Sequence, residues 1–329
     1  MLADYYRGKN VLVTGGAGFI GSHVVEMLVE LGAAVTVPVR KTTNCRYLRA
    51  VERDIRILDA DLFDRQAMDR VLRGQQIVLN LAAAKGGGIA NSILHHGSLF
   101  RDNMLSFINV LDAARTAGVE RFLVVSSACV YPRDTTIPTP EAEGMKGAPE
   151  AANAGYGWSK RMEEYLASAY REEFGMNIGV ARPYNCYGPR DDFFRETNHV
   201  IPGLITRLFK GENPLVVWGD GKQTRAFLYV TDFARGLLEV CASPEEPGPL
   251  NLGTSEEVSI GDLVRLIVEV SGIKTEVRFD PSKPVGQPRR TCDTRLAAER
   301  IGFRAKVSLR EGLTRTIEWY RAELKARSA

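Results

Sequence analysis

Tyr156 and Lys160 stand four residues apart in Tyr156-Gly157-Trp158-Ser159-Lys160. On a helix that spacing puts both side chains on one face. An ammonium held near a phenol favours the phenolate, which an acid/base group working near neutrality requires. A second set of reactive side chains lies upstream, in Leu123-Val124-Val125-Ser126-Ser127-Ala128-Cys129-Val130-Tyr131-Pro132. The stretch opens as a short apolar run, suited to a strand buried on both faces of a parallel sheet, and then turns polar. If the extended conformation continues past Ser127, then Ser127 and Cys129 share a face. That would set a hydroxyl beside a thiol at a strand's carboxyl end, where open α/β sheets bind ligands. The plain alternative for Cys129 is a small buried hydrophobe.

The elements that must position these groups are readable further upstream. Asn10-Val11-Leu12-Val13-Thr14 is a strand, followed at once by Gly15-Gly16-Ala17-Gly18-Phe19-Ile20-Gly21 and a helix from about Ser22 to Leu31. Glycines there let the backbone turn tightly and approach a pyrophosphate, which rests on the helix N-terminus. Strand, loop and helix in that order point to dinucleotide binding. The second strand, 34–39, ends before Arg40-Lys41, with no acid for a ribose 2′-hydroxyl. Two cations there favour a 2′-phosphate, hence NADP, with NAD possible; a solvated basic turn is the alternative. Asp61 and Leu62 follow a third strand at 55–58, and Asp61 would touch the adenine or open a helix. The fourth strand, 77–80, runs into Ala82, Ala84 and Lys85 and a glycine run, small residues beside which a cofactor can lie.

A long helix at about 99–117 carries apolar residues at helical spacing, for the core or a subunit interface. Residues 133–155 are rich in Pro, Gly, Ala and Glu, and a loop of that length tends to be a lid or binding element. After a strand at 178–182 the chain is expected to leave the nucleotide domain at Pro183 and Asn185. His199, beside an apolar run, is more often structural than catalytic. A basic loop, Lys283 to Arg290, suits an anionic substrate or a solvated turn. Ser259 with Asp262 and Ser308 with Glu311 read as helix starts.

Composition narrows the class. The chain has 329 residues, a net charge of +3 and no dense Lys/Arg run, which disfavours a nucleic-acid partner. No apolar run approaches a membrane span. Five scattered cysteines without CxxC spacing argue against a zinc site and a disulfide framework, and suit the cytoplasm. The expected architecture is a Rossmann-type doubly wound parallel α/β sheet over 1–182, with a returning segment near 226–254. A smaller α/β substrate domain would take 183–225 and 255–329.

With TGGAGFIGSH, Ser127, YGWSK, RPYNCYGP and VVWGDGKQTRAF on one chain, the sequence resembles the extended short-chain dehydrogenase/reductase family of nucleotide-sugar epimerases, dehydratases and reductases. The resemblance implies Ser127, Tyr156 and Lys160 as the catalytic triad, with a nucleotide-sugar substrate. The implied cofactor set is Gly15, Gly18, Phe19, Ile20 and Gly21, then Arg40, Lys41, Asp61 and Leu62. It continues with Ala82, Ala84, Lys85, Asn103, Tyr156, Lys160 and Pro183. Ser127, Asn185, His199, Val200, Arg207, Trp218, Arg225, Lys283 and Arg289 would face substrate.

LAAAKGGGI, SSACVYP, His199-Val200-Ile201-Pro202 and SKPVGQPRR resemble the GDP-L-fucose synthases, and SSAC-YP also the GDP-mannose 3,5-epimerases. That likeness implies Cys129 and His199 as an epimerisation acid/base pair, Arg207 as a GDP contact, and a homodimer. The glycine loop departs from the synthases, which carry a His-Arg pair there. The lysine that the epimerases use as a second base is also missing. The expected activity is 3,5-epimerisation of a GDP-4-keto-6-deoxy-hexose followed by NADPH reduction at C4. The alternatives are a redox-neutral epimerase and a non-catalytic NADP-binding regulator; no metal is expected.

Overall fold

The computed structural model describes residues 2–84, 93–194, 199–243, 248–283 and 286–328. After a short helix α1 (Leu2–Tyr6), strand β1 (Asn10–Thr14) leads through the glycine loop into α2 (Phe19–Glu30). Next come β2 (Ala34–Val39), β3 (Ile55–Asp59), α3 (Arg65–Val71) and β4 (Ile77–Asn80). Then follow α4 (His96–Thr116), β5 (Arg121–Val125), α5 (Ala154–Phe174) and β6 (Ile178–Pro183). These strands form a parallel sheet in the order β3-β2-β1-β4-β5-β6, extended at the far edge by β11 (Leu250–Leu252). The order reverses between β1 and β4, the switch point where doubly wound sheets open a crevice for ligand.

The central strands are apolar on both faces, as a sheet covered on both sides requires. Val11, Val13, Val35, Val37, Leu79 and Leu123 pack under α2 and α7 (Val230–Ala242). Leu12, Val78, Phe122, Val124 and Val180 face the other layer, where α4 brings Phe107, Val110 and Leu111. Thr14 and Asn80, at the carboxyl ends of β1 and β4, bond to each other at 2.7 Å across the switch point.

Past Pro183 the chain adds a group of short strands and helices. It holds β7 (Cys186–Tyr187), α6 (Val200–Phe209), β8 (Leu215–Trp218), β9 (Thr224–Ala226) and β10 (Leu228–Tyr229). To these it adds β12 (Glu257–Ser259), α8 (Ile260–Ser271), β13 (Val277–Asp280), β14 (Arg289–Arg290) and α10 (Leu309–Ser328), whereas α9 (Arg295–Ile301) packs Ala297 into the core of the large sheet. Strands pair as β12-β9-β14, β13-β8 and β10-β7. Its core gathers Ile201, Ile205, Leu215, Leu263, Ile267, Leu313 and Tyr320. Ser259 accepts from the Asp262 N–H at 3.0 Å and Ser308 from the Glu311 N–H at 3.3 Å, so both caps start helices as their spacing predicts. Among the described residues no helix is long and apolar enough to cross a membrane.

One expectation is corrected here. Strand β5 ends at Val125, and residues 128–130 form a 3₁₀ turn that Ser127 caps by accepting from the Cys129 N–H at 3.1 Å. Strand alternation therefore does not carry Ser127 and Cys129 onto one face; the turn brings them together instead. The 133–155 loop, expected as a lid or binding element, is tied to its neighbours. Thr139 donates its N–H to Thr291 and accepts from Asn251, while Glu141 accepts the Asn251 N–H. Arg161 holds the Lys146 and Gly147 carbonyls. Several of the loop's backbone groups thus find partners on neighbouring elements.

Candidate active site

Helix α5 assembles the site by gripping the end of β5. Lys160 Nζ donates to the Val125 carbonyl at 3.0 Å, and Arg161 Nε to the Val130 carbonyl at 2.8 Å. Between these anchors Gly157 lies against the Cys129 carbonyl, where a side chain would collide with it. The first two turns of α5 are thereby clamped onto residues 125–130, and Ser127, Cys129, Tyr156 and Lys160 come together. Lys160 Nζ lies 5.7 Å from the Tyr156 ring centre. It also donates to Glu163 Oε2 at 2.8 Å, and both partners are 2% exposed. Burial works against the Lys160 ammonium; Glu163 and then Tyr156 outweigh it and hold its pKa above the ordinary lysine value. Burial raises the Glu163 carboxyl in turn.

The basic loop contributes a cation that was not among the expected site residues. Arg290, on β14 in register with Arg225, donates to the Ala128 carbonyl at 3.2 Å, and its guanidinium faces the Cys129 sulfur. Burial opposes its charge, and Cys129, then Glu150 and Tyr184, sustain it. Its neighbour Arg289 instead forks onto Glu257 at 2.8 Å, with Lys283 exposed at the loop's start. The period-two logic of strands explains the division: adjacent residues point to opposite faces, so one of the two arginines meets the turn. Arg225 is half-buried, its pKa lowered by burial and then by Arg290. Asn185 donates to the Ala226 carbonyl at 3.1 Å.

His199 sits just before α6, with Nδ1 3.3 Å from Oδ1 of the buried Asp191, and its side chain is 49% exposed. A carboxylate there orients the ring. Asp191 is a second residue missed from the sequence; an acid eight positions before a histidine is no signal without the fold. Val200 opens α6, and Trp218 ends β8 with 57% of its surface exposed. Arg207 spends its fork on Glu212 and the Val216 carbonyl. A cleft of about 840 Å³ opens beside Pro132, between His96 and the loop residues Lys146, Pro149 and Glu150.

At the switch point the glycine loop fits a dinucleotide. Gly15 has φ +68°, and a Cβ on it would meet the Ala82 backbone at 3.0 Å, so the two loops close to backbone contact. A Cβ on Gly21 would strike the Gly15 carbonyl. Gly15 and Gly18 are exposed, and α2 starts at Gly18 without a side-chain cap, leaving its N-terminus open to an anion. Phe19 and Ile20 are half-buried at that end. Ala82 donates to Thr14 at 3.1 Å, and Asn103 brackets Ala84 through both its N–H and its carbonyl. Asn103 is buried and therefore supports the loop from beneath. Asp61 accepts the Phe63 N–H, a turn that positions Leu62; Pro183 ends β6 opposite Leu252. Arg40 is exposed, and Lys41 lies 3.6 Å from Asp59. Lys85 and the glycine run after it lie outside the described residues.

A doubly wound sheet with this loop and this serine, tyrosine and lysine defines a dinucleotide-dependent enzyme of the short-chain dehydrogenase/reductase kind. The chain belongs to the NAD dependent epimerase/dehydratase family, whose model matches residues 11–253. It is 34% identical to a dTDP-4-dehydro-6-deoxy-D-allose reductase of Streptomyces sp, over 98% of this chain and 99% of the relative. It is 31% identical to the GDP-L-fucose synthase of Escherichia coli K12, over 95% and 96%. Among solved structures, the UDP-glucose 4-epimerase of Thermotoga maritima with UDP-glucose has TM-score 0.85 and 30% identity, over 96% and 99%. An NADP-bound GDP-L-fucose synthetase of Naegleria fowleri has TM-score 0.80 and 25% identity, over 97% and 96%. The protein is an NAD(P)-dependent nucleotide-sugar epimerase/reductase-type enzyme.

Proposed function

We propose that this enzyme reduces C4 of a 4-keto-6-deoxy-hexose carried on a nucleoside diphosphate, with NADPH, after epimerising its C3 and C5 centres. The observation that carries the reading is the clamp of α5, which bears Tyr156 and Lys160, onto the turn that bears Ser127 and Cys129 at the end of β5. The glycine loop and Arg40 would hold NADPH, which would supply the hydride for C4.

The chain's own groups do the rest. Ser127 and Tyr156 hydrogen-bond the C4 oxygen, which makes the C3 and C5 protons acidic and stabilises the enolate charge as it forms. The Cys129 thiolate, facing Arg290, takes a proton from the neighbouring carbon. His199, held by Asp191, returns one from the other face. Tyr156 then protonates the C4 oxygen, and Lys160 orients both the phenol and the cofactor ribose. Arg225 answers the diphosphate charge.

The nucleotide is read as GDP. A second reading, a dTDP-linked sugar, is favoured by the 34% identity to the Streptomyces reductase. The experiment offers GDP- and dTDP-4-keto-6-deoxy-hexoses in D₂O and follows NADPH oxidation together with deuterium at C3 and C5. NADPH oxidation with exchange supports the full reading, and oxidation without exchange leaves a simple reductase. Exchange of GDP-mannose without NADPH use would mark a redox-neutral epimerase, and silence in every assay a binding regulator.

The enzyme is also proposed to be a homodimer. Leu105 and Ile108 of α4 and Trp158 and Tyr165 of α5 leave an exposed apolar strip on two adjoining helices. Ile108→Glu with Tyr165→Glu should give a monomeric mass in sedimentation; an unmodified protein that is already monomeric refutes the dimer.

A further inference from the structure

We propose that Glu163 is a positioning residue for the Tyr156 proton: its carboxylate answers the Lys160 ammonium, so the phenol keeps the proton that a carbonyl oxygen must receive. The inference rests on Tyr156 acting as proton donor in the proposed function. Tyr156, Lys160 and Glu163 lie at i, i+4 and i+7, one stripe of α5 facing the end of β5. Lys160 commits one hydrogen to the Val125 carbonyl at 3.0 Å and one to Glu163 at 2.8 Å. A fully buried pair at that distance presents almost no net charge to a third group, whereas a lone buried ammonium would pull strongly for the phenolate.

The other groups facing the pair leave Glu163 as the deciding carboxylate. Glu164, next on α5, is taken by Arg182 of β6 through both oxygens and by the Ser126 hydroxyl. Strand β5 offers the Val125 carbonyl; from α4, Leu99, Asn103 and Phe107 do not titrate, while His96 accepts the Gly155 N–H at 3.2 Å through Nδ1 and stays in place in the variants below. An enzyme that begins by oxidising its substrate needs the phenolate as base. One that reduces a ketone needs the phenol as acid, and Glu163 favours that form.

The test is ¹³Cζ-tyrosine NMR of the protein without cofactor, with Tyr156→Phe assigning the resonance. In Glu163→Gln the Tyr156 midpoint should fall by about one pH unit, the size expected for exposing one neighbouring charge. The alkaline limb of NADPH-dependent reduction should move down by the same amount. An unmoved midpoint in folded Glu163→Gln overturns the proposal, because a merely structural ion pair would alter stability alone. If Glu163→Gln does not fold, Glu163→Asp decides: it draws the carboxylate back by one methylene, and an unmoved midpoint overturns the proposal there too. Failure of the functional reading is distinct, since it shows as absent NADPH oxidation whatever the tyrosine titration does.

Discussion

Arg182 holds both carboxylate oxygens of Glu164, at 2.8 and 2.6 Å, with both side chains buried. The same guanidinium reaches the Tyr131 hydroxyl at 3.1 Å and the Glu141 carbonyl at 2.7 Å. Tyr131 donates its hydroxyl hydrogen bond to Asn251 Oδ1 at 2.6 Å, and Asn251 in turn holds Thr139. One buried network therefore ties β6, α5, β11 and the long loop behind the site. Glu164→Gln removes the charge that pays for the buried guanidinium, and should cost about 3–5 kcal/mol in urea unfolding. Glu164→Leu with Arg182→Met should lose less than Glu164→Gln, because no charge is left uncompensated.

Arg290 facing the Cys129 sulfur makes a specific expectation about thiol chemistry. Cys129→Ser should cut deuterium incorporation at C3 and C5 by about 10²-fold or more, the usual weight of a general base. NADPH reduction of a substrate needing no epimerisation should survive. Exchange in Cys129→Ser as fast as in the parent would return the cysteine to core packing.

The two cations after β2 are not equivalent. Lys41 is already opposed by Asp59 at 3.6 Å, while among the described residues no carboxylate is paired with Arg40. Arg40→Ala should therefore weaken NADPH by about 1.5–3 kcal/mol, one charged hydrogen bond, and Lys41→Ala by less. NADH affinity should hardly change in either variant. Equal affinity for NADPH and NADH in the unmodified protein would reject the preference.

His23 gives an acid-side stability term. Its Nε2 lies 3.1 Å from the Pro189 carbonyl, and burial, then Arg190, lowers its pKa to about 4 from 6.5. Above 6.5 the ring is neutral folded and unfolded, so its contribution is complete. Between 6.5 and 4 only the unfolded chain takes the proton, and stability falls by about 3 kcal/mol as pH drops. His23→Gln should flatten that part of the stability profile relative to the parent in urea titrations at pH 4 to 7.

Much of the scaffold was legible because its signals are local. Alternation of apolar runs with the glycine loop marks β1, the loop and α2 within about twenty residues, and helical spacing alone aligns Tyr156 with Lys160. What failed was continuity: Ser127 turns the chain by accepting the Cys129 N–H, and a hydroxyl's choice between water and a nearby amide leaves no mark in an apolar pattern.

The order of residues by itself determined the nucleotide fold, its parallel sheet, and the alignment of Tyr156 with Lys160, since each follows from spacing within one element or turn. Only the tertiary structure decided which charges meet. Arg290 reaches Cys129, Asp191 reaches His199 and Glu163 takes Lys160, while Arg207 and Arg289 go to Glu212 and Glu257. Ionic partners are chosen by distance and burial across elements, and a charge's sequence neighbours do not say which element the fold will lay against it.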